Sequence, residues 1–447
     1  MTVLIAQASA AESGRMTPGM TDEHTPHERM VLFILAAVQF TTIVDFMIVM
    51  PLGPQLMRTL GINPAEFGLI VSSYSFAAGV AGLVASSIVD RYARRTTFLV
   101  LYAGFLLGTF LCAVAPSYHT LVAARVATGA FGGILGGIAM TIVGDVFPEQ
   151  RRGRATGSLM SGFALASVAG VPLGLFFGTN FGWHVPFLAL VIGGIPVLVL
   201  TPFALPPLNS HLNRVHAHPI RSLIETFAIP NHLNAFALSV ALMLGSFTVF
   251  PYVSKYFVAN VGMTEQQLPI IYIVGGGLTL FAAPVIGKLA DRFGKLFVYR
   301  IIAPVSALLM LAITHLPRVP VIVAVMVFGA LMVSNVGRMI AAMAMITGSV
   351  EPHRRGGFMS ANSSVQHIAS GLAAYLGGLI VTEAADGRIE SFGIVGWIAA
   401  ICSLLTLWLA GRVRVGAASA LTAEEISLAA AAEATADAPE SMIAMTE

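Results

Sequence analysis

Asp45 lies inside QFTTIVDFMIVMPLGP, Gln39 to Pro54, a stretch otherwise almost wholly apolar. Arg125 interrupts a second apolar run, LVAARVATGAFGG. A charge at membrane depth costs several kcal/mol, on the order of 3, unless it is paired or wetted. A carboxylate in such a place escapes part of that cost by taking up a proton, and a nearby arginine opposes the uptake. Asp45 is therefore a candidate to bind and release a proton. The same residue types also suit a substrate-binding carboxylate, or a static ion pair with Arg125. His367, in NSSVQHIASG, either titrates near neutral pH or serves as a neutral hydrogen-bonding group. Arg338, in SNVGRM, either attracts an anionic substrate, holds a gate or snorkels to the interface. Gln39, Ser246, Thr248, Tyr252 and Asn335 are the polar candidates for a substrate cavity, although such residues often bond only to their own backbone. Phe46, Met47 and Met50 beside Asp45 suit an adaptable apolar pocket, or simple packing.

Composition says what kind of element carries these residues. The 447 residues are 56% hydrophobic and only 10% charged, with a mean hydropathy of +0.83 and a net charge of +2. A soluble domain carries about 25% charged residues, and a soluble chain this apolar has too little polar surface to cover itself. The chain reads as a polytopic membrane protein. Cys112 and Cys402 both sit in apolar runs, where a structural disulfide is not expected. The opening MTVLIAQASAAESGR lacks the basic start and apolar core of a secretion signal.

A spanning helix needs about 20 mainly apolar residues. About twelve such runs are present, at 31–56, 67–89, 96–116, 119–146, 155–179, 184–206, 233–257, 267–288, 297–316, 319–349, 356–383 and 392–412. The longest internal polar stretch falls between the sixth and seventh. The expected divisions are a tail (1–29), a six-helix bundle (30–206), a central loop (207–232), a second six-helix bundle (233–414) and a disordered tail (415–447). With the N-terminus inside, the inner segments hold about 17 Lys and Arg and the outer loops about 3, a bias that puts both termini in the cytoplasm. At 1.5 Å per residue Asp45 lies roughly 21 Å from the start of the first run, and Arg125 roughly 9 Å from the other surface. In a core of about 30 Å they reach similar depth. His367 lies about 17 Å into the eleventh run by the same rise.

The two halves repeat. SSIVDRYARR, Ser86 to Arg95, returns as GKLADRFGK, Gly287 to Lys295, and PEQRRGRATGSLMSG, Pro148 to Gly162, returns as EPHRRGGFMSANSS, Glu351 to Ser364, each about 200 residues later. Parallel repeats of this kind mark one class of secondary transporter. With these residues the chain resembles the major facilitator superfamily over roughly residues 30 to 414. Three more features resemble its drug:proton antiporter branch, and within it the arabinose-efflux-permease-like group: Arg125 followed by glycines, the GVPLG segment with Gly170, Pro172 and Gly174, and Asp45 followed by Pro51. The resemblance implies twelve transmembrane helices in two pseudo-symmetric bundles, an all-α membrane protein. It also implies a central cavity lined by the first and fourth helices, across which Asp45 and Arg125 would face each other. The loop residues Asp90, Arg91, Arg94, Arg95, Gly287, Asp291, Arg292 and Gly294 would act as gates, or serve topology alone. The first loop departs from the family pattern at Ser86 and Ala93, where glycine is usual.

The expected function is proton-coupled efflux of a small organic molecule by alternating access in the inner (plasma) membrane. Alternatives are a symporter or facilitator for import and, more remotely, a non-transporting membrane sensor. There is no phosphate-binding glycine-lysine loop, so the expected energy source is the proton gradient, with no cofactor. No His/Cys cluster suggests a metal, and no nucleophile and base at one depth suggests an enzyme. The expected partners are a small substrate, protons and the bilayer, not nucleic acid, and a monomer holds the whole pathway.

Overall fold

The computed structural model describes residues 25–88, 91–206, 226–351 and 354–414. Asp90, most of both terminal tails and most of the central loop lie outside the described residues. Twelve long helices follow one another: α1 (Pro26–Ile48), α2 (Pro64–Ile88), α3 (Arg94–Ala113), α4 (Tyr118–Val146), α5 (Glu149–Leu165, continued over Val171–Phe181), α6 (His184–Ala204), α7 (Pro230–Phe247, continued over Phe250–Tyr256), α8 (Leu268–Phe293), α9 (Lys295–Thr314), α10 (Val321–Gly348), α11 (Arg355–Ile380) and α12 (Phe392–Arg412). Among the described residues, eleven are long and apolar enough to cross a membrane. The twelfth, α11, is long enough but more polar, because SANSSVQHIAS runs through it. A two-stranded antiparallel hairpin, β1 (Thr382–Glu383) with β2 (Ile389–Glu390), joins α11 to α12.

The first apolar run, expected at 31–56, is two helices. α1 stops at Ile48, and a separate helix, Gly53–Leu60, follows a turn. Hydropathy is blind to the cause. Pro51 has no N–H to donate, and the chain tightens into short turns, Met50 N to Met47 O at 3.3 Å and Gly53 N to Met50 O at 3.1 Å. The seventh run breaks at the corresponding place before Pro251, with Val249 N to Ser246 O at 3.2 Å. In α5 the strain around Pro172 is taken up differently, by a π-helical turn over Ala166–Gly170.

Packing distinguishes the two ends of the molecule. The basic loops, the start of α1 and the end of α12 share one face: Arg151 grips Glu28 with two bonds of 2.9 and 3.0 Å, and Asn231 reaches the carbonyls of Ser349 and Arg414 at 3.0 and 3.1 Å. Towards this basic face the core is two separate clusters. One is built on Leu35, Phe98 and Ile142, the other on Phe236, Tyr299 and Met345. Towards the opposite face a single cluster runs through both halves, from Ile48, Phe67 and Phe187 to Val253, Phe257 and Phe328. There α5 also meets α8, at Gly276. A Cβ on that glycine would sit 2.9 Å from Ser167 O in the π turn, so only a hydrogen fits. The other part of α5, Glu149–Leu165, is not packed on α8. The apolar core is therefore continuous between the halves away from the basic face and divided towards it, while α2 and α11 stay in contact there through Gly79 and Gly82 against Ser364.

Candidate functional site

Asp45 and Arg125 are in direct contact and fully buried, rather than facing each other across open space. Arg125 Nη1 donates to Asp45 Oδ2 at 2.6 Å, and neither side chain has any exposed surface. Four helices of the first half build this site. α1 supplies the carboxylate and α4 the guanidinium. α3 supplies Thr109, whose hydroxyl donates to Asp45 Oδ1 at 3.1 Å. α2 supplies Tyr74, whose ring lies 4.5 Å beneath the guanidinium. α4 comes this close to α2 because Gly129 and Gly133 face Tyr74 and Ala78 without side chains of their own. Arg125 Nε and Nη2 have no hydrogen-bond partner, so the Asp45 carboxylate, the Asp45 carbonyl at 3.4 Å and the Tyr74 ring are what compensate the cation.

Thr109 and Tyr74 were not singled out in the sequence. Thr109 is 64 residues from Asp45, and a hydroxyl in an apolar run usually satisfies itself on its own backbone. The SSYSF stretch around Tyr74 was the available signal, a polar patch in the middle of a membrane run.

The glycine-proline segment bears on the same site. Gly170 and Gly174 present their bare faces to Val44, Phe40 and Ile48 of α1, the residues on either side of Asp45. Tyr74 and Phe46 then lead out of the first half. Their rings are 5.2 Å apart, and Phe46 is 5.9 Å from Phe247 of α7 and 6.5 Å, edge-on, from the half-buried His367 of α11. His367 thus lies at the seam between the halves, with no direct contact to Asp45.

The second half buries a different arrangement. Arg338 is fully buried in α10 and donates to three neutral oxygens: Ser403 Oγ at 2.5 Å, Asn335 Oδ1 at 2.8 Å and Ser246 Oγ at 3.0 Å. Its Nε has no partner, and no carboxylate reaches it among the described residues. Ser246 and Asn335 are thereby committed to Arg338 and to each other, at 2.9 Å. Tyr252, expected as a cavity residue, is buried: its hydroxyl donates to Ala374 O of its own half at 2.5 Å, and its ring meets Phe67 of the first half at 6.0 Å. Gln39 is half-buried on α1, opposite Gly136 of α4.

The two loop copies differ as their sequences do. Ala93 holds φ at −56° before α3, whereas Gly294 turns at φ +94°, a region glycine tolerates. Arg94 is buried, with Nε 3.5 Å from Asp145 of α4, while Arg91 is exposed and Arg95 half-buried. Asp291 and Arg292 are exposed and Gly287 is half-buried. On the face away from these loops, Arg58 and Glu265 form a bidentate pair between the first half and the start of α8.

Comparison with known proteins agrees with this architecture. The family model described as Major Facilitator Superfamily matches residues 35–337. The chain is 26% identical over 389 residues to YtbD, an uncharacterized MFS-type transporter of Bacillus subtilis (strain 168), covering 86% of this chain and 93% of the relative. Among solved structures, a D-xylose-proton symporter superposes with a TM-score of 0.69 at 14% identity, over 85% of this chain and 96% of that one. A bacterial homologue of the human lysosomal transporter Spinster, inward-facing and unoccupied, gives 0.63 at 15% identity, over 88% and 95%. At such identities the structures speak for the fold.

Proposed function

The chain belongs to the Major Facilitator Superfamily, and from that premise we propose that this secondary transporter is a proton-coupled exporter of a small organic molecule. The observation that carries the reading is the buried Asp45–Arg125 pair at the meeting of four helices. A dry ion pair balances two opposing terms, desolvation of the carboxylate and attraction to the guanidinium, and a small movement of either helix changes the balance. α1 is built to move there, since its helix ends three residues beyond Asp45, at the Pro51 turn. The helices around the pair also touch the other half. α2 packs along α11, and Phe46 meets Phe247 and His367. Rocking one half against the other then pulls α1 from α4, wets Asp45 and lets it take a proton; closure expels the water and returns the carboxylate to Arg125. The resemblance of GVPLG to the antiporter motif favours export.

In this reading the basic face is cytoplasmic, both termini lie there, the membrane is the plasma (inner) membrane and a monomer suffices. The arrangement, with its apolar core divided towards the basic face and continuous at the other, is then an inward-facing one in which α2 and α11 remain in contact. The first half's buried charges cancel, whereas Arg338 leaves a net positive charge in the second, which disfavours cationic cargo and favours neutral or anionic cargo. A second reading has its own observation: a pair with no exposed surface also suits a static structural role.

Everted vesicles with an imposed proton gradient distinguish them. Interior pH is followed while neutral, anionic and cationic small molecules are added, with Asp45→Asn and Asp45→Asn/Arg125→Gln at matched expression. A compound that dissipates the gradient in wild type but in neither variant supports coupling at Asp45. Equal dissipation in wild type and the double variant makes the pair structural and moves the proton to another group, His367 first.

A further inference from the structure

The lipid-facing surface of the second half carries an apolar groove of about 540 Å³ where α8 and α9 lean on α10. Its rim is Leu289, Phe293, Phe297, Ile301 and Val305, all strongly exposed. Its lining includes Ile286 and Val298, which pack with Ala290 in a small cluster separate from the main cores. The lining offers no polar surface, and the one hydroxyl that borders it, Ser334, is turned to its own backbone at Leu331 O, 3.0 Å away. From Phe297 to Leu309 the groove follows α9 for roughly 18 Å at the helical rise. That is about the depth of one leaflet of a core roughly 30 Å thick.

The mouth of the groove lies at the α8–α9 loop, between Phe293 and Phe297, and three cations lie on or within five residues of that loop along the chain. Lys288 and Arg292 are exposed, Lys295 is half-buried, and Arg292 lies 5.3 Å over the Phe293 ring at the rim. No carboxylate pairs with any of the three among the described residues. The repeat supplies an internal control. In the first half the corresponding loop arginine, Arg94, is held by Asp145. The repeated sequences GDVFPEQRR and TGSVEPHRR align Asp145 with Gly348, so the acid is missing where the groove lies.

An apolar slot one leaflet deep, ending in unpaired cations at headgroup level, is complementary to a lipid with a negative head. We infer that this groove is a binding site for an anionic phospholipid of the leaflet on the basic face. One acyl chain lies between α8 and α9, and the phosphate is held by Lys288, Arg292 and Lys295. The cations act at the headgroup and the groove at the tail, so each contribution is separable.

The test is native mass spectrometry of the full chain in detergent, titrated with dioleoyl phosphatidylglycerol or dioleoyl phosphatidylcholine. Wild type is expected to retain one phosphatidylglycerol at least tenfold more tightly than phosphatidylcholine. Lys288→Gln/Arg292→Gln/Lys295→Gln should remove that preference, while Lys288→Arg/Lys295→Arg keeps it. Ala330→Phe, which fills the groove, should weaken both lipids. Arg91→Gln/Arg95→Gln in the first-half loop should leave the preference intact. Equal binding of the two lipids by wild type overturns the inference. So does an unchanged preference in the triple glutamine variant, or an equal loss in the first-half control. Monodisperse elution of each variant confirms that a lost adduct is not a lost fold.

Discussion

Arg125 and Arg338 are both fully buried, one in each half of a duplicated chain, yet they are compensated in different ways. Arg125 has a carboxylate at 2.6 Å and an aromatic face at 4.5 Å. Arg338 has three neutral oxygens and, among the described residues, no acid. The position that the repeat aligns with Asp45 is Gly245, whose missing side chain would point at Ser403 Oγ, the oxygen Arg338 uses. The first half therefore carries a group that can change its protonation, and the second carries a permanent charge. A duplicated scaffold keeps its helices and packing but can divide the chemistry. The proposed coupling group sits on one side and a fixed electrostatic bias on the other.

The comparison is most easily broken at Asp45. Asp45→Asn leaves Arg125 buried without a counter-charge, and one-sided removal of a buried ion costs about 3–5 kcal/mol. Thermal unfolding in detergent should show that loss, with Asp45→Asn/Arg125→Leu recovering more than half of it. A single variant no less stable than the double would mean that the charge is not what holds the site. The opposite change sharpens the contrast. Ser403→Asp places a carboxylate where Arg338 Nη1 already donates, and a charge-assisted bond in place of a neutral one is worth about 1.5 kcal/mol. Unfolding at higher temperature is expected, together with a shift of cargo preference towards cations in the vesicle assay. Thr109→Val tests the carboxylate's second donor while leaving Arg125 in place. The expected loss is about 1 kcal/mol, read by the same melting measurement.

The smallest effect lies at the latch on the face opposite the basic loops. The Arg58 side chain is 64% exposed, and exposed pairs contribute about 0.2–1 kcal/mol. Arg58→Glu should barely change melting but should open that face, raising labelling by a membrane-impermeant reagent of a cysteine placed at Val253, which is buried in the cluster spanning both halves. Arg58→Glu/Glu265→Arg should restore protection.

Much of the architecture was legible because hydropathy and chain duplication act along the sequence. The basic loops repeat, the apolar runs have spanning length, and a helix's fixed rise brings Asp45 and Arg125 to one depth. The Ala93 departure was also legible, and its backbone differs from Gly294 as a residue with a Cβ requires. The end of α1 was misplaced because the apolar run continues through Pro51. Side-chain polarity carries no record of a missing backbone donor. The partner of Tyr252 was not legible, because a hydroxyl in an apolar run reads the same whether it meets a cavity or a carbonyl 122 residues away.

By itself the amino-acid sequence determined that this chain must be helical in a bilayer, how many times it crosses and which residues are too polar for their depth. Those consequences follow from transfer free energy and helix geometry, which act on each segment alone. Only the tertiary structure decided which of those polar residues meet. It brought Thr109 and Tyr74 to the Asp45–Arg125 pair and, among the described residues, left Arg338 without an acid and the α8–α9 cations without a carboxylate. Pairing depends on which faces four or more helices turn towards one another. That is set by close glycine contacts and by packing across sequence separations that no local pattern encodes.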